Sequence, residues 1–159
     1  MKYLLSLGSN IGNSQENICT ALQRLEEGSV TVIQSSSFYL SSPVDYLEQD
    51  DFINIAALVE TPLMPEELLS FIKSIEDGMG RKKAIEKGPR LIDIDIILWE
   101  NGLYDSEKLS IPHKSWEKRL FVIKPLLEIE KKVSVFSSYI TKEIENFSDR
   151  EQIVKRVGE

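Results

Sequence analysis

Apolar residues run almost without interruption from Tyr3 to Leu7 and give way at Gly8-Ser9-Asn10-Ile11-Gly12, the pattern of a short buried strand leaving through a turn. A helix is predicted next: Asn13 is placed to cap it with Glu16 three residues on, and Ile18, Leu22 and Leu25 recur at helical spacing until Gly28. Val30 to Tyr39 is rich in β-branched and aromatic residues and predicts a strand, Ser41 to Asp51 with Pro43 a loop, and Phe52 to Glu60 a second strand. Pro62 and Pro65 introduce a second helix with Leu68, Leu69, Ile72 and Ile75 as its inner stripe, ended by Gly78 and Gly80. A basic loop, Arg81 to Arg90, leads to a strong strand over Leu91 to Leu98, a turn at Asn101-Gly102, and a short strand over Lys108 to Ile111. Glu117 to Leu127 is predicted helical with Phe121 on or near its inner face, and beyond Lys131 the pattern weakens into one or two short helices.

The order strand, helix, strand, strand, helix, strand predicts an α+β fold: a ferredoxin-like, mainly antiparallel sheet with helices packed against it. At 159 residues and 42% hydrophobic content, one domain over 1–159 is expected. No apolar stretch approaches the length of a membrane span, and the first residues stop being apolar too soon for a signal peptide, so the cytoplasm is the expected compartment. With no heptad and no conspicuous apolar stripe, a monomer is expected.

Charge narrows the chemistry. A formal charge of -7 argues against nucleic acid as a partner, because that binding rests on many cations neutralising phosphates. Yet Arg81, Lys82, Lys83, Lys87 and Arg90 lie close together, and Lys114, Lys118 and Arg119 follow His113. An isolated basic run is ordinarily solvated surface; local cations on an acidic chain suit a small polyanion. A single Cys19 and a single His113 give neither an internal disulfide nor a zinc cluster, so a metal would have to sit on carboxylates.

Those carboxylates stand out in Leu91-Ile92-Asp93-Ile94-Asp95-Ile96-Ile97. Side chains in a strand change face at each step, so Asp93 and Asp95 share one face while Ile92, Ile94 and Ile96 fill the other. Two aspartates on so apolar a strand are costly unless an ion or cation faces them, although the wet face of a half-exposed strand would also carry them. Magnesium favours one or two carboxylates with waters and phosphate oxygens, and carboxylates beside Arg and Lys are the combination that phosphoryl transfer uses. Gly8-Ser9-Asn10-Ile11-Gly12 lacks the Gly-Lys-Ser/Thr ending of a Walker loop, and the protein-kinase motifs are missing from the sequence.

The segments together resemble the 6-hydroxymethyl-7,8-dihydropterin pyrophosphokinase family. The resemblance is carried by Leu7-Gly8-Ser9-Asn10, Ser37-Phe38-Tyr39-Leu40-Ser41-Ser42-Pro43, Asp51-Phe52-Ile53-Asn54, Pro65-Glu66-Glu67-Leu68-Leu69 and Ile75-Glu76. It continues through Gly88-Pro89-Arg90-Leu91-Ile92-Asp93-Ile94-Asp95, Ile111-Pro112-His113 and Arg119-Leu120-Phe121-Val122. It implies transfer of pyrophosphate from ATP to the hydroxymethyl group of the pterin, with release of AMP, as a step of folate biosynthesis. Magnesium, two ions with ATP, would be held by Asp93 and Asp95, and Arg81, Arg90, Asp93 and Asp95 would be catalytic. A pterin pocket is implied at Ser41, Val44, Phe52, Asn54 and Phe121, two aromatic faces around a flat ring and an amide at its polar edge. An ATP site is implied at Leu69, Lys73, Glu76, Lys83, Arg90, Ile96, Lys108, Ser110, His113 and Arg119. The sequence departs from the family at Glu86 and Lys87, where a basic and an aromatic residue are common, at Ser41 in place of threonine, and at Lys114 beside the histidine. Two other readings remain: a different magnesium-ATP transferase acting on a heterocyclic alcohol, and a non-catalytic ferredoxin-like binding module.

Overall fold

A computed structural model of the chain describes residues 1–43, 46–80, 88–129, 136 and 152–158. Strand β1 (Lys2–Ser9) lies at the centre. It runs through Gly8 and Ser9, so the turn starts two residues later than the sequence suggests. Helix α1 (Ser14–Glu27) follows, and the Asn13 side chain accepts the Glu16 amide as expected of a cap. The strand expected over Val30 to Tyr39 is broken into β2 (Thr31–Ser35) and β3 (Tyr39–Ser41), which share one edge of β4 (Phe52–Glu60). At the break the Ser36 amide still donates to the Ala56 carbonyl, and its hydroxyl accepts the Ala56 amide, so both pieces stay registered on β4.

Helix α2 (Pro65–Gly78) starts with proline at its first position and the Glu67 carboxylate accepting the Met64 amide. Strand β5 (Asp93–Trp99) begins two residues later than expected. A two-stranded ribbon, β6 (Tyr104–Asp105) with β7 (Ser110–Ile111), leads to a 3-10 turn (Trp116–Lys118) and helix α3 (Leu120–Ile129). The one helix expected over Glu117 to Leu127 is thus divided at Arg119. Strand β8 (Val154–Arg156), not foreseen in the sequence, pairs with β3 at the sheet edge. The sheet order is β5-β1-β4-β3-β8, all antiparallel, and its first part is the ferredoxin-like order with β2 and β3 acting as one strand.

Alternation along β1 divides the core between the two faces. Tyr3, Leu5 and Leu7 point to the face covered by α1 and α2, where Ile18, Leu25, Leu68, Ile72, Ile92, Ile94 and Ile96 join them. Leu4 points to the other face with Ala56 and Leu58, under Val122, Ile123 and Leu126 of α3. The pairing Leu4 with Leu98 and Leu5 with Ile96 leaves Ile97 as an extra residue on β5. That bulge resets the phase: Ile97 and Leu98 both enter the α3 side, and Trp99 returns to the α1/α2 side to stack on Tyr3 at 6.0 Å between centroids. The Tyr3 hydroxyl donates to the Leu63 carbonyl at 2.8 Å. Burial, with the charges of Glu67 and Glu100, pushes its pKa up to about 12. Among the described residues no helix is long and apolar enough to cross a membrane.

Helix α3 is fastened to the strand edge by Glu128. Its carboxylate accepts the Ser37 amide and hydroxyl and the Tyr39 hydroxyl, the last two at 2.6 and 2.8 Å, and faces Arg156 at 3.8 Å. Partial burial works to raise the Glu128 pKa, but these donors and the Arg156 charge outweigh it and hold the group below the ordinary glutamate value. A depressed folded pKa means stability present above the unfolded carboxylate pKa and lost as pH falls through the folded one. Glu128→Ala should therefore cost about 1–3 kcal/mol at pH 7, with the difference from wild type shrinking in acid below about pH 4. Urea unfolding at both pH values checks this; an equal difference at both would show that the ionised carboxylate is not what holds α3.

Candidate active site

The half of the sheet that α3 leaves uncovered is polar, and the strand register lays out its floor. Asn54, Gly8 and Asp93 form one row across β4, β1 and β5; Ala56, Ser6 and Asp95 form the next. Asp93 and Asp95 thus share a face, with Ile92, Ile94 and Ile96 buried at 0%, 4% and 2% on the opposite one, as the alternation requires. The two carboxylates line a cavity of about 320 Å³ with Phe52 and Asn54 on the floor and Arg119 and Phe121 at the α3 end.

Asn54 is 3% exposed and its Nδ2 donates to Ser41 Oγ at 2.7 Å, which fixes the amide plane. Gly8 makes room for it: a β-carbon there would lie 2.8 Å from Asn54 Oδ1. The Arg90 guanidinium approaches Asp93 at 3.6 Å, and His113 Nε2 lies 3.8 Å from Asp95 Oδ1. The His113 amide donates to the Ile97 carbonyl at 3.0 Å, so the residue is attached to β5 itself. Burial, and after it the positive charge of Arg119, lowers the imidazole pKa and so favours the neutral ring. Arg119 also sits with its guanidinium carbon 5.8 Å from the Phe121 ring centroid.

A second cavity of about 310 Å³ adjoins the first, and Asp95 and His113 wall both. Leu69, Ile96, Lys108 and Ser110 line it, the last two carried by the β6-β7 ribbon, where Ser110 Oγ donates to Asp105 at 2.7 Å. The residues singled out in the sequence therefore gather in two groups: Ser41, Phe52, Asn54 and Phe121 in the first cavity, and Leu69, Ile96, Lys108 and Ser110 in the second. Arg90, Asp93, Asp95, His113 and Arg119 stand around the first, Asp95 and His113 reaching both. Glu76 lines neither. It is buried at 3% beneath β5, where its carboxylate accepts the Ile94 amide at 3.1 Å, and Lys73 lies exposed on α2. Val44, Arg81 and Lys83 fall outside the described residues, as do Glu86 and Lys87. Gln49 and Gly88 also line the first cavity. They were missed because a polar loop residue and a loop glycine carry no periodic signal.

No group of three or more His, Cys, Asp or Glu suited to a metal occurs among the described residues. The donor set is instead two carboxylates, with side chains 37% and 32% exposed, bordered by cations. That set fits magnesium completed by water and phosphate oxygens, and not a closed zinc site.

Residues 4–131 match the family model described as 7,8-dihydro-6-hydroxymethylpterin-pyrophosphokinase (HPPK). The chain belongs to this family. An HPPK relative from Haemophilus influenzae, 2-amino-4-hydroxy-6-hydroxymethyldihydropteridine pyrophosphokinase, is 36% identical over 94% of this chain and 94% of its own. The protein of the same name from Bacillus subtilis is 40% identical over 79% of this chain and 75% of its own. Bifunctional protein FolKE of Lactococcus lactis subsp. cremoris is 42% identical over 93% of this chain but only 43% of its own length. The chain thus spans less than half the length of several curated relatives it matches. In fold it is similar to the HPPK part of Plasmodium falciparum HPPK-DHPS, solved with pterin and p-hydroxybenzoate. The TM-score is 0.66 at 18% identity, over 98% of this chain and 46% of that one.

The tight fit at Gly8 gives a test of the site's floor. Gly8→Ala should drive the Asn54 amide off Ser41 at a cost of about 1–3 kcal/mol, read by urea unfolding and by a structure of the variant. An Ala variant of unchanged stability with the Asn54–Ser41 bond intact would show that the row has slack.

Proposed function

We propose that the chain transfers pyrophosphate from ATP to 6-hydroxymethyl-7,8-dihydropterin, giving the pterin diphosphate and AMP. The observation that carries this is the pair Asp93 and Asp95 on one face of β5: both line the first cavity, and Asp95 also lines the second, which differs in character. The first cavity has what a flat amino-oxo heterocycle needs: aromatic faces at Phe52 and Phe121 and an Asn54 amide fixed by Ser41. The second is lined by apolar Leu69 and Ile96 and by polar Lys108 and Ser110, which suits a base and a ribose with phosphates directed towards Asp95 and His113. The chain is read as a single pyrophosphokinase unit over 1–159 working as a monomer, and an ATP-dependent role suits the cytoplasm.

The hydroxymethyl oxygen of the pterin attacks the β-phosphorus of ATP in line. A new oxygen–phosphorus bond forms, the bond from the β-phosphorus to the oxygen bridging to the α-phosphorus breaks, AMP leaves, and the hydroxyl proton passes to solvent. Asp93 and Asp95 would hold magnesium, two ions with ATP, which supplies charge neutralisation on the phosphates. Arg90 and Arg119 offset negative charge around the transferred and leaving groups, and Arg81 is assigned to the same task. His113, beside Asp95 and lining both cavities, is placed to donate a hydrogen bond to phosphate. Phe52, Phe121 and Asn54 hold the pterin so that its hydroxymethyl group faces the aspartates.

Incubation with ATP, magnesium and the reduced pterin should yield AMP, read by chromatography of quenched reactions. ADP as the nucleotide product would overturn the assignment. Asp95→Ala should lower AMP formation by at least about a hundredfold without loss of the folded state by circular dichroism. Undiminished turnover in that variant would take the aspartate pair out of the mechanism.

A further inference from the structure

Asn10 follows the last residue of β1 and is only 6% exposed, a buried amide in a position the reaction just described does not use. Its contacts reach in two directions. Towards the phosphate side it clamps the Arg90 peptide at two points: the Asn10 amide donates to the Arg90 carbonyl at 3.0 Å, and the Arg90 amide donates to Asn10 Oδ1 at 2.8 Å. Towards the other loop, Asn10 Nδ2 donates to Gln49 Oε1 at 2.9 Å and to the Asp50 carbonyl at 3.0 Å. Gln49 in turn donates from Nε2 to the Tyr46 carbonyl at 2.7 Å. Both hydrogens of the Asn10 amide and its oxygen are therefore engaged. Gln49 and Arg90 line the same cavity, and two residues beyond Asp50 the chain enters β4 at Phe52.

We propose that Asn10 is a positioning residue that couples the loop carrying Gln49 to Arg90, so that occupation of the pterin pocket sets the phosphate-facing arginine. The inference rests on the substrate assignment above. The physical basis is that the end of the central strand carries both anchors on one side chain, so neither loop can shift without breaking a hydrogen bond to the buried Asn10 amide. Asparagine is required for both at once. Aspartate retains an oxygen for the Arg90 amide but sets a second oxygen against two acceptors, Gln49 Oε1 and the Asp50 carbonyl. Turning the Gln49 amide over only transfers the mismatch to the Tyr46 carbonyl.

The test measures the dissociation constants of the reduced pterin and of a non-hydrolysable magnesium-ATP analogue, separately and together, alongside kcat and KM. In Asn10→Asp the pterin constant should rise about tenfold to a hundredfold, the nucleotide constant alone should stay within about threefold, and mutual enhancement of the two ligands should vanish. Gln49→Leu, which cuts the same link from its far end, should behave alike, and the double variant should be no worse than either single one. Unchanged pterin affinity in both single variants, or losses that simply add, would overturn the coupling. Amide hydrogen exchange in the ligand-free protein checks the clamp without any substrate. The Arg90 amide should be protected in wild type and in Asn10→Asp and exposed in Asn10→Ala; equal protection in all three would overturn it. Failure of wild type to form AMP would instead overturn the substrate assignment, leaving the exchange result to stand by itself.

Discussion

Everything in this molecule is referred to strand β1, whose side chains have contrasting obligations on its two faces. Its odd-numbered residues, Tyr3, Leu5 and Leu7, are buried under α1 and α2. Leu4 is buried under α3, and Ser6 and Gly8 continue the same face into the open cavity. A one-residue slip would exchange the two sets, exposing the apolar stripe and burying the polar row. The hydrophobic pressure that fixes the register is therefore the same force that aligns Asn54, Gly8 and Asp93 across three strands. Site geometry here is a by-product of core formation, which is why the floor needs few side-chain contacts of its own.

What was legible in the sequence follows from how local each signal is. Asp93 and Asp95 were readable because strand alternation is a property of a few consecutive residues, and the neighbouring isoleucines declare which face is buried. The two long helices were readable for the same reason, through the cap at Asn13 and the stripes at Ile18, Leu25, Leu68 and Ile72. The break between β2 and β3 was not, because nothing in Ser36 announces that its hydroxyl will take the place of a strand bond to Ala56. Strand β8 was hidden for a related reason: three residues pairing with β3 from more than a hundred positions away leave no periodic trace. Asn10 looked like part of a turn, and only the meeting of two distant loops reveals what its amide is attached to.

The family resemblance supplied what alternation could not: the proposal that one cavity takes a heterocycle and the other a nucleotide. Among the described residues, Asp95 and His113 line both cavities. Glu76 lies beneath that boundary, its buried carboxylate held on the Ile94 amide between the two aspartates. Glu76 thus braces the backbone of β5 behind the aspartates without lining either cavity.

The extra residue at Ile97 has a consequence for how such chains can vary. Before it, odd positions of β5 face the cavity; after it, the odd position Trp99 faces the helices. The aspartates and the aromatic stack on Tyr3 are thus held in opposite phase by one inserted residue. Removing it would force a choice between them: keeping the aspartates would turn Trp99 out of its stack, and keeping the stack would roll both carboxylates into the helical core. Length between Asp93 and Trp99 is therefore far less free to drift than length in the ribbon that follows, where a change is absorbed at the surface. A relative that lost one residue there would have to change its side chains along the whole strand to remain folded, a barrier that no single substitution crosses.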